Sequence, residues 1–404
     1  MPADLVISSD DAVWADGVVI SQDCSSLHAP YGSTIAAMGL PVEFHCHGLG
    51  RYDFSAFATS DVAQARWLEE INALAEKESI IVVVTLFVRS GELSILEDLV
   101  QVWHCERSRN RLKNIGGFGI EGPMLASIGG TPKSGGWIPT DAEWTRISDL
   151  GRMGVIYTVV SQSSGVENAR FSSVIDCLCS NGIHPALGHF PQDDVAKALK
   201  SIEITLDRAE LHGVKVLTDH LFNDMPRNFR HAWRTEKEKR GRLSELMSER
   251  DVRWTSSNLE KIVGPVAAAL MKAALEKKLS LCVNFDGEHV DSSVLRKTVD
   301  FVGADQIVAM TDRVDVPRLK GFHLADKPGS KLWYVNGTTV AASKSTIDDQ
   351  IRLMASQLRM TDCEILKATV VNPRRFLPKI VRDNLPEDWL TQLSMHPART
   401  SIGG

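Results

Sequence analysis

The sequence predicts an α/β protein built on a closed (β/α)8 barrel. Short apolar runs rich in Val and Ile alternate with longer segments of helical period, which is the pattern of a parallel sheet with crossover helices. There are eight such runs, spread over about 330 of the 404 residues, and this number suits a closed barrel better than an open doubly wound sheet. With 43% apolar residues, the chain can fill a core of this size.

Each candidate strand is a run of β-branched and other apolar residues that ends near Gly, Pro or a polar residue. The eight strands are predicted at 40–48, 79–88, 115–123, 154–162, 182–190, 214–222, 279–290 and 306–314. The segments between them include "DVAQARWLEEINALAEK", "DDVAKALKSIEITLDRAELHG" and "GPVAAALMKAALEKK", whose Ala, Leu and charged residues favour helix.

Three regions fall outside the repeat of the barrel, which is expected to occupy 40–377. Residues 1–39 contain strand-like fragments, and 378–404 resemble a short helix followed by a tail. The third region, 224–262, is a long connection dense in charge. Either a solvated helical hairpin or an active-site lid would account for its composition.

Composition narrows the classes of function. The net charge is -6 and both signs are interspersed, so no basic surface indicates a nucleic-acid partner. No window has the roughly 18 apolar residues of a membrane span, and the N-terminus lacks the pattern of a signal peptide, so we expect a cytoplasmic protein without membrane association. The seven scattered cysteines suit reduced thiols better than a disulfide framework.

Ionisable side chains stand at the predicted carboxyl ends of six of the eight strands. These residues are His45 and His47, Glu121, His189, His220, Asp286 with His289, and Asp312. Because the carboxyl ends of barrel strands converge on one face, the side chains are expected to meet. A single His at a strand end is more often structural than a ligand, but chance does not readily produce agreement at six ends.

This set of imidazoles and carboxylates suits Zn²⁺ and neighbouring dications, and we expect one or two ions per chain, with zinc as the first choice. His45 and His47 stand two residues apart on a strand, so they point to the same side, and Glu121 can bridge two ions. A bound dication lowers the pKa of its water to about 7. Asp312 is then placed to carry a proton from that water to a leaving amine.

Several motifs follow one another in a fixed order between about residues 40 and 377. They are "HCHGLGRYDF", "GIEGPML", "ALGHF", "TDHLFNDM", "FDGEHV", "MTDRV", "TVAASKSTIDD" and "VNPRRFL". Each is short, but together they make the chain resemble the N-acetylglucosamine-6-phosphate deacetylases of the amidohydrolase superfamily, in a divergent form. The resemblance implies that His45, His47 and Glu121 hold one metal ion, whereas Glu121, His189 and His220 hold the other. Some relatives keep only the second ion.

The resemblance also implies roles around the substrate. Asp312 falls on the general acid/base of the family, close to the metal, and His289 on a histidine that contacts the substrate. Asn223 and its neighbour Asp224 fall where the family binds the sugar phosphate. Glu43 replaces the Asp that usually precedes the two histidines.

Three departures from the family concern the substrate. Trp137, in "KSGGWIPT", stands at or near a family histidine that polarises the acyl carbonyl, and its N–H can donate a hydrogen bond but carries no charge. The loop after "HLFND" is longer than in the family by roughly 25 residues. Arg227, Arg230 and Arg234 in this loop are candidates for phosphate binding, as an alternative to being merely solvated. The small β-domain of the family is expected to be vestigial or absent.

We therefore expect a metal-dependent amidohydrolase that acts in amino-sugar metabolism. Attack by metal-bound hydroxide would remove an N-acyl group, such as N-acetyl, from an amino sugar or related small amine. A hydrolytic deaminase or cyclic-amide hydrolase of the same superfamily is an alternative, and a non-catalytic binding protein on the same barrel is another. The expected partners are a small N-acylated substrate and a second copy of the chain in a homodimer.

Overall fold

The chain folds around a barrel of eight parallel strands, as the sequence predicts. The computed structural model describes residues 40–57, 60–227 and 252–382, together with the backbone of three short strands nearer the N-terminus. The barrel strands are β1 (Val42–Cys46), β2 (Ile81–Leu86), β3 (Ile115–Ile120), β4 (Val155–Val160), β5 (His184–Leu187), β6 (Val216–His220), β7 (Leu279–Asn284) and β8 (Ile307–Arg313). Consecutive strands pair in parallel, and β8 pairs with both β7 and β1, which closes the barrel.

A helix follows every barrel strand and buries an apolar face. These crossover helices are α1 (Asp61–Lys77), α2 (Leu93–Ser108), α3 (Asp141–Asp149), α4 (Asn168–Ser180), α5 (Val195–Leu211), α6 (Pro265–Leu275), α7 (Ser292–Val302) and α8 (Ile347–Ser356). Local sequence explains several helix starts. α3 and α8 begin with capping boxes in which Thr140 pairs with Glu143 and Thr346 with Asp349. α6 begins with Pro265, whose missing N–H costs nothing at this position.

The barrel interior is packed rather than hollow. Tyr157 of β4 stacks on Phe44 of β1 with ring centroids 5.3 Å apart. Because β1 and β4 are not neighbours in the sheet, this contact crosses the interior. On the outside, Trp103 of α2 meets Phe118 of β3 edge to face at 5.6 Å. The apolar packing therefore leaves the polar side chains to the carboxyl end of the barrel.

Shorter elements decorate the barrel. Two antiparallel hairpins follow β8, formed by Arg318–Leu319 with Phe322–His323 and by Leu332–Val335 with Thr339–Ser343. The last of these strands also pairs with β8 and so extends the barrel sheet. The remaining short elements are Gly48–Leu49, Tyr52–Asp53, Phe54–Ala56, Ser90–Glu92, Lys133–Gly135, Leu150–Arg152, Leu259–Val263, Ala304–Gln306, Asp362–Leu366, Lys367–Val371, Asn372–Arg374 and Lys379–Arg382.

The flanking segments are described only in part. Leu5–Ile7, Val13–Ala15 and Val18–Ser21 form a three-stranded antiparallel sheet. Within the predicted insertion 224–262, residues 228–251 lie outside the described residues, as do 383–404 at the C-terminus. The hairpin and lid alternatives for the insertion, and a vestigial small domain at the N-terminus, therefore stay predictions.

The described residues also bear on the expectations about membrane association and about the cysteines. Among the described residues, no helix combines the length and apolar character that crossing a membrane requires. None of the described cysteines forms a disulfide, and Cys179 in α4 is a buried core residue. Cys46 is buried too, and its thiol faces the carbonyls of Gly48 and Arg313 rather than the imidazoles of His45 and His47.

The start of β5 provides a test of stability against pH. His184 donates from Nδ1 to the Lys215 carbonyl at 2.7 Å and meets the Phe376 ring edge to face at 4.9 Å. Burial lowers the pKa of His184 to about 4, whereas an unfolded chain has a His pKa of about 6.5. The unfolded state thus binds the proton first as the pH falls, so this histidine costs stability below about pH 6.5.

We expect His184→Asn, whose amide can still donate to Lys215, to lose less stability than the wild type on acidification. Between pH 7 and pH 4.5 the difference should be about 2 kcal/mol by urea unfolding. An exposed control, His323→Asn, should follow the wild type. If the free energy of unfolding changed equally with pH in His184→Asn and the wild type, the lowered pKa of His184 would be contradicted.

Candidate active site

The ionisable residues predicted at the strand ends do come together at the carboxyl end of the barrel. Their buried side chains form two groups that share Glu121, which directly follows β3. Within each group, the potential ligand atoms lie within 4.8 Å of one another. This mouth of the barrel is where enzymes of the fold place their chemistry.

The first group contains His45, His47, Glu121 and Asp312. Nε2 of His47 lies 2.8 Å from Glu121 Oε2, 3.2 Å from Asp312 Oδ1 and 3.2 Å from Nε2 of His45. His45 Nε2 in turn lies 3.2 Å from the same Glu121 oxygen. The four side chains therefore surround one small volume.

The second group contains Glu121, His189, Asp219 and His220. The other carboxylate oxygen of Glu121 lies 2.8 Å from His189 Nε2 and 3.7 Å from His220 Nε2. Asp219 Oδ2 lies 3.4 Å from His189 Nε2 and 3.1 Å from His220 Nε2. One oxygen of Glu121 thus faces the first group and the other faces the second, which is the arrangement expected of a bridging ligand.

Asp219 is the member of these groups that the sequence argument missed. Strand alternation turns neighbouring residues to opposite faces, so Asp219 and His220 were not expected to share a site. The register between β6 and β7 shifts between Leu217 and His220, however, and the alternation is interrupted there. The sequence feature that could have indicated Asp219 is the carboxylate directly before the histidine in "TDH".

The backbone is unusual where three of the site residues stand. His45, His189 and Asp312 have φ values of 55°, 51° and 54°, in the left-handed region that non-glycine residues seldom occupy. In β1 the strand ends at Cys46, so His45 and His47 do not meet through regular alternation as the sequence argument assumed. A register shift between Glu43 and Cys46 instead turns both imidazoles into the mouth. Such strain at several site residues is typical of functional positions.

Neighbouring groups fix the orientation of the histidines. His189 Nδ1 lies 2.7 Å from Asp224 Oδ2, and we assign the proton to this nitrogen because the carboxylate can only accept. In the neutral ring, Nε2 then presents a lone pair to Glu121. His45 Nδ1 lies 3.1 Å from the hydroxyl of Tyr157, which also bonds Thr85 at 2.8 Å. Holding the outer nitrogen in this way is how proteins orient metal-binding imidazoles.

A second pair of polar residues stands beside the first group. His289 Nδ1 bonds Asp286 Oδ2 at 2.6 Å, and its Nε2 lies 3.6 Å from Asp312 Oδ2. Asp286 accepts further hydrogen bonds from the backbone N–H groups of Glu288 and His289. Asp286 therefore holds His289 in place next to Asp312.

The charges of the site are strongly coupled. Burial acts to raise the pKa of Glu121, but the four surrounding imidazoles hold it well below its usual range. Burial likewise acts to lower the pKa of His47, yet Asp312 and Glu121 raise it to about 10. Burial also acts to lower the pKa of His220, but Asp219 and Glu121 raise it to about 9. The groups thus favour positive charge among their carboxylates, which protons or a dication can supply.

The donor set fits a metal ion. Imidazole nitrogens and carboxylate oxygens of the described residues converge on two points, and neither oxygen of Asp219 accepts a hydrogen bond there. Mixed nitrogen and oxygen ligands suit Zn²⁺ and the other first-row dications. Each group offers four protein ligands if Glu121 is shared.

A cavity of about 310 Å³ opens onto the two groups. Glu121, His189, His220 and Asp312 reach it from below, and the loop 129–131 and the hairpin residues 338–341 line other parts of its wall. The two walls approach closely, because a Cβ on Gly130 would lie 2.0 Å from the Val340 carbonyl oxygen. The cavity is of a size that suits a small ligand.

The residues predicted to bind the substrate have different placements. His289, Asn223, Asp224 and Arg227 line the cavity. Asn223 donates to Asn284 at 3.2 Å, and Arg227 donates to the carbonyl of Phe222.

Of the three other predicted residues, only Trp137 belongs to the described part of the chain. Trp137 is not part of the lining, and its indole N–H donates to the Val88 carbonyl at 2.9 Å. Arg230 and Arg234 lie outside the described residues. Substrate contacts by these three residues stay predictions.

Glu43, the replacement for an Asp in the resemblance, is buried behind the site rather than in it. One of its carboxylate oxygens accepts from the backbone N–H of Ile347 at 3.1 Å, at the start of α8. Burial raises its pKa to about 7, against the opposing charge of Arg313 at 3.9 Å. Glu43 therefore links β1 to α8.

Comparison with known proteins agrees with the barrel. The sequence matches no family model and no curated protein. Among solved structures, an N-acetyl-D-glucosamine-6-phosphate deacetylase mutant from Mycobacterium smegmatis, in complex with N-acetyl-D-glucosamine-6-phosphate, is similar with a TM-score of 0.58. It is 21% identical over 84% of this chain and 77% of its own. Our chain has the fold of these deacetylases.

Two further deacetylases support the same conclusion. The N-acetylglucosamine-6-phosphate deacetylase from Pasteurella multocida has a TM-score of 0.60 at 16% identity, covering 84% of this chain and 76% of that one. The enzyme from Thermotoga maritima has a TM-score of 0.56 at 14% identity, covering 84% and 78%. The predicted resemblance and the predicted (β/α)8 fold are confirmed, and the low identities fit a divergent sequence.

Gly119 in β3 allows the support of His45 to be tested. A Cβ at this position would lie 2.2 Å from Cζ of Tyr157, so Gly119→Ala must displace the ring that contacts His45. We expect a loss of about 1–3 kcal/mol in urea unfolding and weaker metal binding by the folded protein. Gly91→Ala is the matched control, since no heavy atom lies within 4 Å of its Cβ. Equal behaviour of the two variants would refute this role of Gly119.

Proposed function

We propose that this protein is a metal-dependent hydrolase that removes an N-acyl group, most simply N-acetyl, from an amino sugar or a related small amine. One observation carries the proposal: two groups of imidazoles and carboxylates share Glu121 at the floor of a cavity that Asp312 also reaches. A barrel needs no such set of buried ionisable groups for its stability, because burying them is costly unless they are paired. The fold shared with three solved deacetylases supports the same reaction class.

His45, His47, Glu121 and Asp312 would hold one ion, whereas Glu121, His189 and His220 would hold the other. We expect zinc, in line with the mixture of nitrogen and oxygen ligands. When bound, such an ion supplies a water of lowered pKa and Lewis-acid stabilisation of the oxygen of the acyl carbonyl.

Asp312 is the proposed carrier of the proton. Its carboxylate stands at the edge of the first group and reaches the cavity, where a substrate carbonyl and an attacking water would meet. It accepts a proton as the water oxygen bonds to the acyl carbon. It then returns that proton to the nitrogen as the C–N bond breaks, so that the amine leaves neutral.

His289 is proposed to orient the substrate beside Asp312. Asp286 accepts a hydrogen bond from Nδ1–H of His289, which leaves Nε2 pointing towards Asp312 and the cavity. A neutral ring in this tautomer can accept a hydrogen bond from a substrate hydroxyl or amide, and a protonated ring can donate one. Against the effect of burial, Asp286 and Asp312 raise the pKa of His289, which favours the donating form.

The cavity supports a small, polar substrate. Asn223, Asp224 and Arg227 form one side of it and offer an amide, a carboxylate and a guanidinium. These are groups that hydroxyl-rich or anionic ligands bind. The Mycobacterium smegmatis deacetylase is in complex with N-acetyl-D-glucosamine-6-phosphate, and an amino sugar of this kind is our first choice of substrate.

Asp312→Asn tests the proton transfer. Asn tolerates the left-handed backbone of this position, so the fold should be preserved. Because the amide cannot accept the proton, we expect turnover to fall by about 10²–10⁴-fold. Metal content by elemental analysis should stay at one ion per chain or more, since the second group does not use Asp312. Asp326→Asn, at an exposed residue paired with Lys344, is the control; full activity of Asp312→Asn would exclude the role.

The reaction class is tested by a substrate screen. Purified protein is incubated with N-acetylated amino sugars, with and without a phosphate group, and both carboxylate and free amine are measured. We expect the two products in equal amounts, and we expect chelation of the metal to abolish both. Release of ammonia without a carboxylic acid would instead indicate the deaminase alternative, because the attack would then fall on a ring carbon.

A further inference from the structure

We propose that Asp219 is an additional metal ligand that completes the second group, a role that the sequence did not predict. Oδ2 would bind the ion of the second group, and Oδ1 would hold His45 of the first. The inference rests on the proposed function in one respect, namely that a dication occupies the mouth of the barrel.

Asp219 is buried, and no hydrogen bond within the described part of the chain offsets the cost of burying its carboxylate. It is 1% exposed, and among the described residues neither of its oxygens accepts a hydrogen bond. A buried carboxylate in this state is strongly unfavourable unless a cation compensates its charge. By comparison, the buried carboxylate of Asp286 accepts hydrogen bonds from two backbone N–H groups, a histidine and Ser343. Asp219 differs from Asp286 in that neither of its oxygens accepts a hydrogen bond from the residues that the structure describes.

The second argument is the convergence of lone pairs around Oδ2. It lies 3.1 Å from His220 Nε2 and 3.4 Å from His189 Nε2. In the neutral His189 ring the proton is on Nδ1, facing Asp224, so Nε2 presents a lone pair towards Glu121 and Asp219. Two carboxylates and a lone pair directed at one point repel each other unless a cation lies between them. A dication between these acceptors would compensate their charge, as a proton on the imidazoles would in its absence.

The third argument is the position of the other oxygen. Asp219 Oδ1 lies 3.4 Å from His45 Nδ1, on the side of the ring opposite Glu121. A carboxylate behind a metal-binding imidazole fixes its tautomer and raises its basicity. One residue would thus bind in the second group and orient a ligand of the first, which links the two ions.

The consequence concerns metal preference. With Asp219 the second group has two imidazoles and two carboxylates, and its oxygen content suits Mn²⁺ or Fe²⁺ more than a site of imidazoles with one carboxylate would. Removing the carboxylate should therefore weaken Mn²⁺ binding more than Zn²⁺ binding.

The test is a titration of metal-free protein with Mn²⁺ and, separately, Zn²⁺ by calorimetry, with bound metal counted after dialysis. Asp219→Asn keeps the shape of the side chain but removes its charge. We expect the affinity of one site for Mn²⁺ to fall by about 100-fold or more, since even the loss of an outer-shell partner costs about 10–100-fold. The increase in thermal stability on adding Mn²⁺ should shrink in proportion.

Asp362→Asn is the matched control, because Asp362 is also a buried carboxylate, belongs to neither group and stands at the start of the short helix Asp362–Leu366. Its Mn²⁺ affinity should equal that of the wild type. Unchanged Mn²⁺ binding by Asp219→Asn would overturn the inference and leave the proposed function intact. A wild-type protein that binds neither ion would overturn both.

A crystal structure of the wild-type protein with Mn²⁺ tests the same point without a variant, in case Asp219→Asn does not fold. Anomalous density is expected at about 2.0–2.2 Å from an oxygen of Asp219. An ion held by Glu121 and His189 with both Asp219 oxygens beyond hydrogen-bond distance would refute the assignment.

Discussion

Glu121 is a buried carboxylate between four imidazoles, and the rest of the site is arranged around it. Each of its oxygens faces a different group of ligands, so both groups depend on its position at the end of β3. A carboxylate can be buried in this way only if positive charge is close by. The imidazoles contributed by β1, β5 and β6 hold that charge as protons or by binding a dication. The electrostatics of one residue therefore require the ends of several strands to meet.

The barrel meets this requirement with a rigid scaffold and local irregularity. Closure of the sheet fixes where each strand ends, and the packed interior beneath the site holds Tyr157 against His45. Regular strands alone would not aim the side chains, so β1, β6 and β8 depart from regular register near their carboxyl ends. The left-handed backbone at His45, His189 and Asp312 is a further local irregularity near the strand ends. The strain of these residues is tolerated because the surrounding apolar core is large.

The upper part of the cavity limits which ligand can reach the two groups. The walls that bear Gly130 and Val340 limit the space above the two groups, and Asn223, Asp224 and Arg227 give one side its polarity. Trp137 is tied to the Val88 carbonyl, so its indole N–H is already used. The floor of the cavity thus presents the ionisable groups, and its walls determine the shape and polarity of the space that a ligand can occupy.

The sequence alone determined the barrel, because eight apolar runs separated by helical segments have few other ways to bury their surface. It also determined most of the site, since the carboxyl ends of barrel strands meet and His45, Glu121, His189 and Asp312 stand at those ends. Only the tertiary structure decided that Asp219 joins them. Strand alternation predicts the opposite orientation, and a register shift set by pairing with β7 cannot be seen in the residues of β6 alone. The placement of Trp137 likewise depended on a carbonyl 49 positions away in the chain, which no local pattern indicates.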